Sequence, residues 1–122
     1  MATTKLLGAW GEALAAEFLR KKHYKILASG YRSRFGEIDL IVKDRKTLVF
    51  VEVKLRKNAE FAQALEFVGK QKQNRIKTAA KLYLSKNDCM DVPTRFDVIE
   101  IYAPQGTATA EPEIYHLEDA FQ

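Results

Sequence analysis

The sequence predicts an α/β layered domain, a central mixed β-sheet flanked by helices, and three observations point to it. Apolar residues recur at helical spacing near the N-terminus and again over residues 70–86. Two strand-like apolar runs, 37–42 and 49–55, lie on either side of a polar turn. A further strand pattern follows the second helix, so the order is helix, three strands, helix, then one or two strands (αβββαββ).

Taken in order, Thr3 or Thr4 can cap a first helix that runs to about Lys22. Leu7, Trp10, Leu14 and Phe18 share one face of it, widened by Ala15 and Leu19. Gly8 and Gly11 cost helix stability relative to alanine, and their expected use is close approach of this helix to the sheet. Residues 24–31 read as a first strand, broken near Ser29 and Gly30. The hairpin then supplies strands two and three, with its turn over residues 44–47. Residues 58–68 lack a clean period and read as an irregular loop. The second helix follows, with Ile76, Ala79, Ala80 and Tyr83 on its buried face. After a turn over residues 87–93 comes a fourth strand, 94–102; a polar loop over 104–109 leads to a short edge strand at 113–117.

With 122 residues, the chain is long enough for the core of one domain, expected to span 1–122, and it shows no internal repeat. The net charge of +4 is compatible with a polyanionic partner without demanding one. Cys89 is the single cysteine, so no internal disulfide is available and a reducing, cytoplasmic setting is expected. Glu12 and Glu17 interrupt the N-terminal apolar residues, which argues against a signal sequence, and no stretch approaches the length of a membrane span. Gly69–Lys70 lacks the leading glycine and the Ser or Thr of a phosphate loop, Ala64 and Gln71 standing there. His23, His116 and one cysteine do not make a structural zinc site.

The hairpin carries the chemistry. With the turn centred between Arg45 and Lys46, Asp39 faces Glu52, Glu37 faces Lys54 and Ile41 faces Phe50. Ile38, Leu40, Val42, Val49, Val51 and Val53 then form an apolar opposite face, so both faces are covered. Like charges directly opposite on a sheet are destabilising, and two carboxylates there need a proton, a cation or a metal between them. The plain alternative is a solvated face on which Glu37 and Lys54 form an ordinary surface pair.

An acid on the second strand and Glu-x-Lys on the third resemble the PD-(D/E)XK nuclease superfamily. Gly11-Glu12-x-x-Ala15, Gly36-Glu37-Ile38-Asp39-Leu40-Ile41, Val49-Phe50-Val51-Glu52-Val53-Lys54, Lys72-x-x-Arg75 and Arg95-Phe96-Asp97-Val98 follow the order of the YraN-like bacterial family, whose members resemble archaeal Holliday-junction resolvases. Ile38 stands where the superfamily name has proline.

The resemblance implies a restriction-endonuclease-like layered fold and a metal-dependent endonuclease acting on DNA, branched or junction DNA included. It implies Mg²⁺ or Mn²⁺ held by Asp39, Glu52 and the Val53 carbonyl, with Glu12 reaching the metal directly or through water. Lys54 would orient the attacking water or offset charge in the transition state. Glu12 also reads as a plain solvated helix residue, and Glu37 as a partner for Lys54. Arg32, Arg34, Arg56, Lys57, Lys72 and Arg75 are candidate DNA contacts, although each alone also reads as a solvated surface charge. Tyr31 and Phe35 lie beside the first two. Asp97 is expected to support the sheet or satisfy Arg95. Symmetric cutting of a four-way junction needs two sites about a twofold axis, hence a homodimer. The competing expectation is a non-catalytic nucleic-acid-binding module on the same fold.

Overall fold

A computed structural model of the chain describes residues 4–57 and 69–122. The element order is α1 (Thr4–Lys21), β1 (Lys25–Ser33), β2 (Gly36–Asp44), β3 (Thr47–Arg56), α2 (Lys70–Lys86), β4 (Thr94–Tyr102) and β5 (Glu113–Phe121). A 3-10 turn at Gly106–Ala108 lies between the last two strands. The expected loop at 58–68 and a cap at Thr3 fall outside the described residues. Among those residues, no helix is long and apolar enough to cross a membrane.

The five strands form one sheet in sequence order. Only β3 and β4 run parallel, α2 lying between them in sequence, and the other pairs are antiparallel. The sheet is therefore mixed, as the element order predicts. Alternation along the central strands sends side chains to two separate cores. Leu40, Val42, Val49, Val51, Ile99 and Ile101 pack with Ala15 and Leu19 of α1. Ile41, Leu48 and Phe50 pack with Ile76, Ala79, Ala80 and Leu84 of α2. Burial on both faces explains the nearly continuous apolar runs of β2 and β3.

Four differences from the sequence reading have structural causes. Ile38 joins the α2 core rather than the α1 core with Leu40, because β2 changes course where its pairing with β3 ends at Leu40–Val51. β1 continues through Gly30, whose φ of 65° only glycine adopts freely. Gly11 does meet the sheet, since a Cβ there would lie 3.0 Å from the Leu55 side chain, whereas a Cβ at Gly8 would meet nothing within 4 Å among the described residues. β5 is nine residues long, not a short edge.

That length rests on a polar clamp. The β4–β5 register shifts between Phe96 and Val98. Fully buried Asp97 fills the irregularity by accepting hydrogen bonds from the Asp119 backbone N–H (2.9 Å) and from Arg95 Nε (2.9 Å) and Nη2 (3.0 Å). His116 adds a contact from Nε2 at 2.7 Å, while Lys22 Nζ donates to Nδ1 at 2.9 Å. A lysine ammonium has no lone pair, so Nδ1 accepts and Nε2 carries the proton given to Asp97. Asp97 thus supports the sheet and satisfies Arg95, as expected from sequence.

Candidate functional site

The β2–β3 ladder runs in the predicted register, from Asp44–Thr47 through Ile41–Phe50 to Leu40–Val51. The next position in that register would pair Asp39 with Glu52. There β2 leaves β3 but stays paired with β1 down to Gly36. Asp39 replaces the missing backbone acceptor: its Oδ2 takes the Val53 N–H at 2.8 Å. The carboxylate is thereby held against β3, beside Glu52.

Burial, then the negative charge of Glu52, pushes the Asp39 carboxyl up to about 7, although the Val53 N–H opposes the rise. Glu52 is only 6% exposed. Its Oε1 lies 2.6 Å from Nζ of Lys72, which reaches in from the first turn of α2. Burial alone would lower the Lys72 ammonium, but its hydrogen bond to Glu52 and that carboxylate's charge more than offset this and raise it. Lys54 shows the opposite outcome: burial, then the neighbouring Lys72 charge, lowers it. Two acids and two lysines therefore form one electrostatic unit.

Glu12 approaches from α1 over β1, where Ser29 Oγ donates to its Oε1 at 3.4 Å. Gly30 lies opposite Asp39, between the pairs Ser29–Leu40 and Tyr31–Ile38. A Cβ there would stand 3.9 Å from Glu12 Oε1, an ordinary contact, so glycine is favoured here by its φ of 65° rather than by the approach of Glu12. Burial first, and the charges of Glu37 and Glu52 after it, raise the Glu12 carboxyl despite the Ser29 bond.

A groove opens over this unit, lined by Gly36, Glu37, Asp39, Glu52, Lys72 and Arg75 among others. A second concavity, at the β1–β2 turn, is lined by Arg32, Arg34 and Phe35 and shares Gly36, Glu37 and Arg75 with the first. Four of the six predicted DNA contacts, Arg32, Arg34, Lys72 and Arg75, thus border these two adjoining concavities. Lys57 does not: it lines a separate cleft beside Leu7 and the Gly106–Ala108 turn. Glu37 pairs with Arg32, 3.6 Å away, rather than with Lys54, which corrects the sequence expectation. The physical reason is that β2 follows β1 beyond Leu40, carrying Glu37 opposite Arg32.

Sequence reasoning missed Glu100. It is fully buried on β4, paired with Lys54 in the parallel ladder. Arg56 Nε lies 3.7 Å from its Oε1, beyond hydrogen-bond reach, and among the described residues neither carboxylate oxygen has a hydrogen-bond partner. Burial raises its carboxyl, against the charges of Arg56 and Lys54. The available signal was one acid inside the apolar run Val98–Ile99–Glu100–Ile101.

The family described as "Uncharacterised protein family UPF0102" matches residues 11–101. A UPF0102 protein of Geotalea daltonii is 46% identical over 117 residues, covering 96% of this chain and 90% of its own. Those of Geotalea uraniireducens (41%; 99% and 93%) and Geobacter sulfurreducens (42%; 97% and 90%) are similar over comparable spans. The chain belongs to the UPF0102 family.

The UPF0102 match holds Glu12, Asp39, Glu52, Lys54, Lys72 and Arg75. Among the described residues, no three His, Cys, Asp or Glu groups converge as a ready-made metal cage. A hard cation such as Mg²⁺ asks for less, taking one or two carboxylates and retaining several waters. Asp39 and Glu52, whose mutual repulsion a cation would relieve, fit that demand; the set does not fit tetrahedral zinc.

Proposed function

We propose that this UPF0102 chain is a metal-dependent endonuclease that cleaves DNA phosphodiester bonds, branched or junction DNA included, on a restriction-endonuclease-like layered domain. The observation that carries the reading is the juxtaposition of Asp39 and Glu52 at the floor of a groove bordered by Lys72 and Arg75. In this reading Asp39 and Glu52, with the Val53 carbonyl and Glu12 in support, hold Mg²⁺ or Mn²⁺. When bound, that cation supplies Lewis acidity toward the phosphate and an acidified water.

The chain's own groups do the rest. Asp39, which lines the groove, is anchored by the Val53 N–H. Lys54, partly desolvated and lowered by burial and by Lys72, is suited to orient a water or to meet charge developing on phosphate. Lys72 holds Glu52 when no other cation does so. Arg75, Arg32 and Arg34 extend positive charge from the centre along the groove, which suits a phosphate backbone. Symmetric cutting of a junction would further require a twofold pair of chains.

The test is cleavage of labelled four-way junction, linear duplex and single strand with Mg²⁺, Mn²⁺ or EDTA, using wild type and Glu52→Gln purified in parallel. Cutting by wild type alone, abolished in EDTA, is the expected result. Equal activity of the two proteins would overturn the assignment of Glu52.

One observation favours a second reading, a non-catalytic nucleic-acid-binding module. The Lys72–Glu52 pair already neutralises one acid internally, with no need of a metal. Such a scaffold would bind DNA and show no change in melting temperature on addition of Mg²⁺ or Mn²⁺.

A further inference from the structure

We propose that the turn joining β1 to β2 is a nucleobase-stacking site, which makes DNA with an unpaired nucleotide beside the acidic centre the preferred ligand. This deepens the nuclease reading and rests on it for the identity of the ligand.

Phe35 stands at the tip of the turn with 39% of its surface exposed; Tyr115 on β5 is also exposed, at 46%, whereas Phe50 and Phe96 stack on each other at the α2 core. The Arg34 guanidinium carbon lies 5.0 Å from the centre of its ring. With the guanidinium over one face, the opposite face of this exposed ring is the one on which a base would stack, beside a positive charge, the pair of features that holds single-stranded nucleic acid.

The platform is rigid. Ser33 Oγ accepts the N–H groups of Phe35 (3.2 Å) and Gly36 (3.3 Å) and donates to the Gly36 carbonyl (3.0 Å), closing the turn on itself. Gly36 in turn sits against α2: a Cβ there would lie 3.2 Å from Arg75 Cβ and 3.3 Å from its carbonyl oxygen. Phe35 is thus presented by a turn docked on the helix that also delivers Lys72 and Arg75. Ordering a base on it costs little further conformational freedom of the protein.

Position supplies the specificity. The concavity at Phe35 shares Gly36, Glu37 and Arg75 with the groove over Asp39 and Glu52. Gly36 precedes Asp39 by three residues of β2, about 10 Å at the usual rise of a strand. A DNA strand with a phosphate at the acids and its backbone along Arg75 therefore brings a nearby base to Phe35. Within an intact duplex both faces of that base are covered by its neighbours. Only a base at a gap, a junction or a frayed end offers a free face to the ring.

The experiment measures binding in EDTA, so that cleavage plays no part. Three fluorescently labelled DNAs are used: a linear duplex, the same duplex with a one-nucleotide gap flanked by 2-aminopurine, and a four-way junction. Wild type should prefer the gapped DNA and the junction, and the 2-aminopurine emission should be quenched on binding. Phe35→Ala should weaken those two by about 5- to 50-fold while leaving duplex binding within about twofold. Phe35→Trp should restore both the preference and the quenching. Equal losses on all three DNAs, no loss on any, or no measurable binding by wild type would overturn the proposal. Melting temperatures of the variants establish that they are folded. A Phe35-dependent gap preference without Mg²⁺-dependent cutting would remove the nuclease reading alone. Cutting that needs Glu52 but is indifferent to Phe35 would remove the stacking site alone.

Discussion

Lys72 Nζ and Glu52 Oε1 lie 2.6 Å apart, joining the first turn of α2 to the acidic centre of the sheet. Glu52 is buried and Lys72 half-exposed, so the pair matters more to the acid than to the lysine. Replacing Lys72 by Met removes the partner and leaves a buried carboxylate without its cation. In EDTA, urea unfolding should show a loss of about 1–2 kcal/mol relative to wild type. If Asp39 and Glu52 bind a divalent ion, Mg²⁺ should raise the melting temperature of Lys72→Met more than that of wild type, because the Lys72 ammonium no longer competes for Glu52. An equal response of the two proteins would separate Lys72 from the cation site.

Asp39 is ionised at a cost. Burial and Glu52 raise its carboxyl to about 7, so the ionised form is disfavoured in the folded state. The penalty is absent below the ordinary carboxylate range, grows as the pH rises from there to about 7, and is full above it. Asp39→Asn keeps an acceptor for the Val53 N–H and removes the charge. At pH 8 in EDTA this variant should be more stable than wild type by on the order of 1 kcal/mol. At pH 4 the two should agree, and the variant should lose any stabilisation by Mg²⁺. Guanidinium titrations at the two pH values provide the check.

Asp97 has the opposite sign. Burial would raise its carboxyl, but hydrogen bonds from His116, Arg95 and the Asp119 N–H outweigh it and hold it below the ordinary range. Its contribution to stability is therefore full above about pH 4 and is lost as the pH falls through its folded value. Asp97→Asn should cost about 2–4 kcal/mol at pH 7, since it leaves Arg95 without its bidentate partner. The gap to wild type should narrow at pH 3, and a gap of constant size would contradict the clamp as drawn.

Partly exposed Arg56 and fully buried Glu100 form a pair too long for a hydrogen bond, so removing one partner and removing both should differ in sign. Arg56→Met alone strands the Glu100 carboxylate and should destabilise by about 2–3 kcal/mol. Arg56→Met with Glu100→Met should be neutral or stabilising, because neither charge is then desolvated. A double variant as unstable as the single one would show that the pair contributes net stability.

Gly36 tests the docking of the β1–β2 turn on α2. An added methyl meets Arg75 backbone atoms at about the contact limit, and a helix backbone yields less readily than a side chain. Gly36→Ala should lower stability by about 1–2 kcal/mol. An unchanged melting temperature would mean that the turn is not pinned.

Several elements were legible because their signals are local. The period of Ile76, Ala79 and Ala80 fixed the buried face of α2, with Leu84 more deeply covered than Tyr83. The Arg45–Lys46 turn, with Arg45 at a φ of 58°, set the β2–β3 register that places Asp39 next to Glu52. Where the reading failed, a distant partner had intervened. Gly30 looked like a break because nothing nearby reveals that it faces Asp39 beneath Glu12. The acidic end of β5 looked unlike a strand because Asp97, more than twenty residues earlier, accepts the Asp119 N–H.

The sequence by itself determined the α/β order, the two-sided burial of the hairpin and the nearness of Asp39 to Glu52, though not as partners in the ladder, which ends one position earlier. Each follows from periodicity and turn chemistry within a few residues. Tertiary structure alone decided that Lys72 neutralises Glu52, that Glu37 answers Arg32, and that Glu100 is buried beside Lys54 and Arg56. Those outcomes depend on how α2 lies across the sheet and where β2 parts from β3. Such placements arise from packing between segments far apart in the chain, and no local pattern of residues encodes them.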